Sequence, residues 1–135
     1  MTSPFSLNLT FILYASPQKV FEALTTETII KKWSNSDAQF KLEDGFQYQI
    51  FDGRAFGEII SFKPNDFLSY TWKSKNWAAQ ISPSIVNITF AKNIAGTKIL
   101  IEHKNLPNLT ELNNHKEGWV TYVLEPLNDF FIDQM

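Results

Sequence analysis

The sequence predicts an α+β fold: a curved antiparallel sheet of seven strands, two short helices after the first strand, and a long C-terminal helix closing the sheet. Three observations carry this. The stretch Ser16-Pro17-Gln18-Lys19-Val20-Phe21-Glu22-Ala23-Leu24-Thr25, running on to Lys31-Lys32-Trp33, reads as two short helices. Glu117-Gly118-Trp119 opens an apolar stretch that reaches almost to the C-terminus. Between them lie roughly eighty residues dominated by period-two alternation, the mark of half-buried strands. Such an order describes a container closed by a helix.

Phe5, Leu7, Leu9, Phe11 and Leu13 alternate with polar residues at Ser6, Asn8 and Thr10, so the odd-numbered face of a first strand points inward. Ser16 then offers an N-cap, and Pro17 suits a first helical position, where its missing N–H costs nothing. Val20 and Leu24 share the face that docks on the sheet. Thr25 or Thr26 caps a second helix, with Glu27 at its positive end and Lys31-Lys32 at its negative end. Ile29 and Trp33 are expected on its inner face. Alternation then returns. Phe40 and Leu42 lead to a turn at Glu43-Asp44-Gly45, and Phe46, Tyr48 and Ile50 follow on one face. Asp52-Gly53 turns into a strand over 54–62, and Lys63-Pro64-Asn65-Asp66 turns into one over 67–73. Segments 84–91 and 97–104 complete seven strands in an antiparallel meander. From about Glu111 to Asp133 the pattern is helical, with Trp119, Val123, Leu127 and Phe131 four apart. Gly118 weakens that helix, and Pro126 is expected to bend it by withholding a hydrogen bond from Tyr122.

At 135 residues the chain fits one domain, taken as 1–135. Apolar residues make up 44% and include 12 Phe, ample for a core. Net charge is −2, and no basic run exceeds Lys31-Lys32, so no nucleic-acid partner is expected. The absence of cysteine excludes disulfides, thiol nucleophiles and Cys-based metal centres. No apolar run is long enough to span a bilayer, and residues 1–15 lack a secretory pattern; a cytoplasmic location is expected.

Ser16-Pro17, Val20, Ala23-Leu24-Thr25 and Trp33 belong to a larger pattern. It continues through Gly57-Glu58-Ile59-Ile60, Pro64, Phe67-Leu68 and Thr71-Trp72, then Gly96-Thr97 and Ile101-Glu102-His103. It ends with Gly118-Trp119, Leu124 and Leu127. From about Thr10 to Ile132, this series resembles the Hsp90-ATPase-activator-homologue (AHSA1-like) family in order and spacing. The resemblance implies the START/Bet v1-like (SRPBCC) helix-grip fold, with seven strands wrapped around the terminal helix. That superfamily includes lipid and hormone binders, aromatase/cyclase domains and the client-facing domain of Hsp90 activators. Two positions depart from the family pattern: Asp44-Gly45, where many members carry two glycines, and Pro126, which interrupts the terminal helix. Read as a whole chain, 135 residues leave no room for the additional N-terminal domain of the eukaryotic activators.

His103 shares a strand face with Ile99 and Ile101 and should point inward, either to orient a ligand or as a core histidine with internal partners. Tyr48, Tyr70, Trp72 and Trp119 combine apolar bodies with polar tips and suit a pocket wall or an ordinary core. Together with His103 and Val123 they form the expected ligand-binding set. Trp33 is read as an anchor for the second helix, Trp77 as a lid or partner contact, and His115 as exposed. Two histidines without cysteine give no basis for a metal site, and no cofactor is expected. Phosphate loops, nucleophile elbows and HExxH are missing. The leading expectation is therefore a non-enzymatic domain that holds a hydrophobic or aromatic small molecule. Its rivals are an Hsp90-type co-chaperone, a cyclase- or hydrolase-like enzyme with His103 as base, and a core filled by its own aromatics. On the ligand-holding reading, His103→Leu alters selectivity more than stability.

Overall fold

The computed structural model describes residues 3–135; Met1 and Thr2, which the 1–135 domain reading includes, lie outside the described residues. The strands are β1 Phe5–Leu13, β2 Gln47–Ile50, β3 Ala55–Lys63, β4 Phe67–Ser74, β5 Ser84–Asn93 and β6 Gly96–Leu106. They form one antiparallel sheet in the order β1-β6-β5-β4-β3-β2. The alternating apolar positions place Ile59, Leu68, Ile88, Ile99 and Ile101 on its inner face, all essentially buried.

Among the described residues, six strands stand where seven were expected. Phe40 is buried, but its N–H donates to the Glu27 carboxylate at 3.0 Å instead of joining a ladder. Gln39 makes only an isolated bridge with Gln49. The Asp44-Gly45 turn closes, with Phe46 N–H donating to Glu43 O at 3.0 Å, but no continuous ladder follows it, and the Gly45 N–H donates to Ile59 O at 2.8 Å. A carboxylate from a helix thus satisfies the donor that a seventh strand would have used.

The β3–β4 ladder is also interrupted, between Phe56↔Lys73 and Ile59↔Tyr70. There the Tyr48 hydroxyl donates to Thr71 O at 2.6 Å, and Glu58 N–H donates to Thr71 Oγ1 at 2.8 Å. Gly57 sits in this gap against the Thr71 carbonyl.

Helix α1, Pro17–Thr25, is capped as expected: the Lys19 N–H donates to Ser16 Oγ, and Val20 and Leu24 are buried. Helix α2, Glu27–Ser34, buries Trp33 as expected, packs the half-buried Ile29 against the core, and turns Ile30 fully inward beside them. Trp33 is the expected anchor, donating its indole N–H to Ala23 O at 2.7 Å.

Between β2 and β3 the backbone takes three successive left-handed residues: Phe51 (φ 54°), Asp52 (φ 59°) and Gly53 (φ 85°). The conformation costs an L-residue about 1–2 kcal/mol. Two hydrogen bonds offset it, Asp52 N–H to Asp37 O at 3.0 Å and Asp37 N–H to Asp52 Oδ1 at 2.8 Å.

The C-terminal helix begins with α3, Leu109–Gly118, whose Glu111 N–H donates to the Asn108 cap at 2.8 Å. It passes through a π turn, Trp119–Leu124, into α4, Glu125–Asp133. The expected disruption at Pro126 takes this form. Proline has no N–H for the Tyr122 carbonyl, and the turn ahead of it widens, so that Glu125 N–H reaches back five residues to Val120 O. Trp119, Val123, Leu124, Leu127 and Phe131 are buried along it.

Candidate functional site

A cleft of about 290 Å³ opens where the ends of β2–β4 meet the first half of the C-terminal helix. The helix supplies Asn114, His115, Gly118, Trp119, Tyr122 and Val123, spaced three and four apart so that they share one face. Opposite stand Phe51, Arg54 and Ala55 from the left-handed turn and the start of β3, with Trp72 and Ser74 from β4. Deeper in, Trp119 and Val123 also border a gap of only about 20 Å³, enclosed by Leu24, Ile30, Trp33, Phe40, Tyr48, Ile50 and Tyr70. That space is close to a single water's requirement. The interior between sheet and helix is therefore nearly filled by aromatics, and the usable opening lies at one end.

Behind the cleft wall is a hydrogen-bonded cluster of indoles and imidazoles. Trp119 Nε1–H donates to His103 Nδ1 at 3.0 Å, so His103 carries its proton on Nε2. That Nε2–H meets Ser84 Oγ at 2.7 Å, and Ser84 passes its own proton to Trp72 O at 2.9 Å. His115 is the opposite tautomer: Nδ1–H donates to Glu111 O at 2.8 Å, leaving Nε2 to accept the Trp72 indole N–H at 3.1 Å. Trp77 Nε1–H donates to Glu111 Oε1 at 3.0 Å. Ser74 Oγ lies 3.2 Å from His115 Nε2, a distance that suits nucleophile and base. Yet the single lone pair on Nε2 already accepts from Trp72, so it is not free to take a serine proton. The cluster builds a rigid wall.

Burial, and secondarily the neighbouring His115, push the His103 pKa down to about 3 from the ordinary 6.5. In the unfolded chain this imidazole binds a proton below about 6.5 that the native one refuses. Its contribution to stability is whole above that value and falls as pH drops towards 3, by about 1.4 kcal/mol per pH unit. At about pH 5, ¹⁵N shifts should show His103 still neutral with its proton on Nε2. An imidazolium signal there would contradict the assignment. Burial likewise pushes the Tyr48 and Tyr70 hydroxyls above their usual range, so both stay protonated.

A family model described as "Activator of Hsp90 ATPase homolog 1-like protein" matches residues 14–131. The chain belongs to this AHSA1-like family. A mouse relative, "Activator of 90 kDa heat shock protein ATPase homolog 2", is 25% identical over 108 residues, covering 80% of this chain and 32% of its own length. The chain thus spans about a third of the length of the curated relatives it matches. Among solved structures, an HSP90 activator from Plasmodium falciparum superposes with a TM-score of 0.85 at 24% identity, covering 94% of this chain and 96% of that one. The Aha1 dimer from Colwellia psychrerythraea gives 0.76 at 22%, covering 92% and 93%. The AHSA1-like chain has the α+β helix-grip fold of the Bet v1-like group, here with six strands. No helix among the described residues is long and apolar enough to cross a membrane.

The residues expected in the site divide into three groups. Trp72, Trp119 and Val123 line the cleft. Tyr48 and Tyr70 line only the narrow inner gap. His103 points inward as expected but borders neither space; both of its nitrogens are held by Trp119 and Ser84. Two further expectations are corrected. Trp77 is buried against Glu111, not displayed as a lid. His115 is largely covered, with a side chain 11% exposed, because it extends the Trp119 stripe one step towards the N-terminus. His115, Arg54, Phe51 and Tyr122 also line the cleft, outside the expected set. A signal for His115 was present: Glu111, His115, Trp119 and Val123 are each four apart.

Proposed function

We propose that this chain is a single AHSA1-like domain that binds a small molecule with an apolar or aromatic body in the cleft between β4 and the C-terminal helix. The observation that carries this reading is the cleft itself. Its walls are the faces of Trp72, Trp119, Tyr122 and Phe51 with Val123, and its few polar groups sit at defined places. A volume of about 290 Å³ lies at the small end of ligand pockets, which points to a compact ring system over a long lipid. The His103–Ser84–Trp72–Trp119 cluster supports binding over catalysis, because His103 offers no free lone pair to serve as base.

A neutral probe, 2-naphthamide, tests the reading by titration against the indole N–H signals of the ¹⁵N-labelled domain. Saturable shifts are expected at Trp72 and Trp119. Gly118→Leu should abolish them without unfolding the chain. A side chain at Gly118 enters the cleft, its Cβ meeting nothing nearer than Tyr122 Cδ2 at 3.7 Å, and leucine favours the helix. Absent shifts, or shifts that survive this substitution, would remove the cleft from consideration.

Relatives named as an activator of the 90 kDa heat shock protein ATPase and as an Hsp90 co-chaperone support a second reading, a contact with an Hsp90-type chaperone. Titrating the labelled domain with Hsp90 addresses it. Unchanged spectra at high micromolar chaperone would dispose of this alternative and leave the first untouched.

A further inference from the structure

We propose that the molecule held in the cleft is an acid, with its carboxylate docked on Arg54; this rests on the cleft reading above. Arg54 is the single arginine of the chain and lines the cleft beside Phe51 and Tyr122. Among the described residues its guanidinium has no carboxylate within ion-pairing distance and makes no side-chain hydrogen bond. Lys31, Lys41, Lys63 and Lys104 each reach an acidic side chain, and no lysine of either kind, paired or unpaired, lines the cleft. The nearest acid in sequence, Asp52, accepts the Asp37 N–H. No Asp or Glu lines the cleft, so its one formal charge is positive in a chain whose net charge is −2.

The position of this cation is set by the backbone. Arg54 N–H donates to Phe51 O at 3.1 Å, and Arg54 O accepts the Lys75 N–H at 2.8 Å. The left-handed residues Phe51, Asp52 and Gly53 lead directly into it, held in place through Asp37. Strained backbone kept at a cleft mouth is a feature of ligand sites. Of the other polar groups on the wall, His115 Nε2 is taken by the Trp72 indole, and Ser74 Oγ lies 3.2 Å from that same nitrogen. Asn114 has an amide without a hydrogen-bond partner among the described residues. A guanidinium is donor-only, and its planar fork matches a carboxylate. One cation and one amide suit a monoanion better than a phosphate dianion, and the aromatic wall would receive the acid's apolar body.

The test compares 2-naphthoate with its neutral isostere 2-naphthamide, on wild type and on Arg54→Gln, read at the Trp119 indole. Because Arg54 is exposed, solvent discounts the ion pair, and the acid should bind about tenfold more tightly. Raised salt should narrow that margin. In Arg54→Gln the margin should vanish while the amide affinity stays the same, and Arg54→Lys should restore part of it. Equal affinities for acid and amide in wild type would overturn the acid proposal and leave the cleft reading standing. A margin that survives Arg54→Gln would do the same. Failure of both compounds to shift Trp119 would bring down the cleft reading and this proposal together.

Discussion

His103→Leu is expected to lower the unfolding free energy by about 2–4 kcal/mol while leaving 2-naphthamide affinity nearly unchanged. Leucine fills the space but offers neither acceptor nor donor. The Trp119 indole N–H would lose its partner, and Ser84 Oγ would lose the proton it accepts, both in a region closed to water. Each buried polar group left without a partner costs about 1–3 kcal/mol. Urea unfolding at neutral pH measures the loss, and a change within about 0.5 kcal/mol would show that the network contributes little. Of the two roles the sequence allows His103, this is the core histidine with internal partners and not the ligand-orienting one. That role follows from geometry: His103 sits behind Trp72 and Trp119, one layer removed from the opening.

Gly57→Ala should be costlier still, by about 3 kcal/mol or more, and the melting temperature should fall by about 10 °C. A Cβ there would lie 2.0 Å from Thr71 O and 2.6 Å from Thr71 C. These are backbone atoms, so no side-chain rotation relieves the overlap. Either β3 and β4 separate, or the Thr71 carbonyl swings away and abandons the Tyr48 hydroxyl. The second route predicts coupling. In a Tyr48→Phe background the carbonyl has no bond to lose, and Gly57→Ala should cost about 1 kcal/mol less than in wild type. Strict additivity of the two substitutions would argue that the strands separate instead.

Most of the fold was legible because period-two alternation and helix caps are local signals. The six observed strands fall where the alternation lies, and Ser16-Pro17 starts α1 as read. The segment at Phe40 and Leu42 alternates just as convincingly, yet its N–H goes to Glu27, a residue thirteen positions away whose reach no local pattern encodes. The site divides along the same line. Trp72, Trp119 and Val123, which line the cleft, are legible as inward-facing because each lies on the inner face of a long periodic element. Arg54 escaped notice because a turn residue reveals its neighbours only after the sheet has formed. The polar surroundings of His115 suggest exposure, whereas its spacing from Trp119 carries the better signal. Trp77 reads as a lid or partner contact because it lies in a connection, whereas its burial depends on a carboxylate of α3.

The π turn also solves a problem of phase. In an α-helix a step of four residues overshoots a full turn by about 40°. Five such steps, from Glu111 to Phe131, would accumulate about 200°, sending the two ends of the stripe to opposite sides of the cylinder. The wider turn over Trp119–Leu124 takes back part of this drift, since more residues are spent per revolution. Glu111 and His115 can therefore reach Trp77 and Trp72 while Leu127 and Phe131 remain buried in the core. The residue that forbids a regular helix, Pro126, thus marks the seam between two rotational settings, one serving the cleft and the other the core.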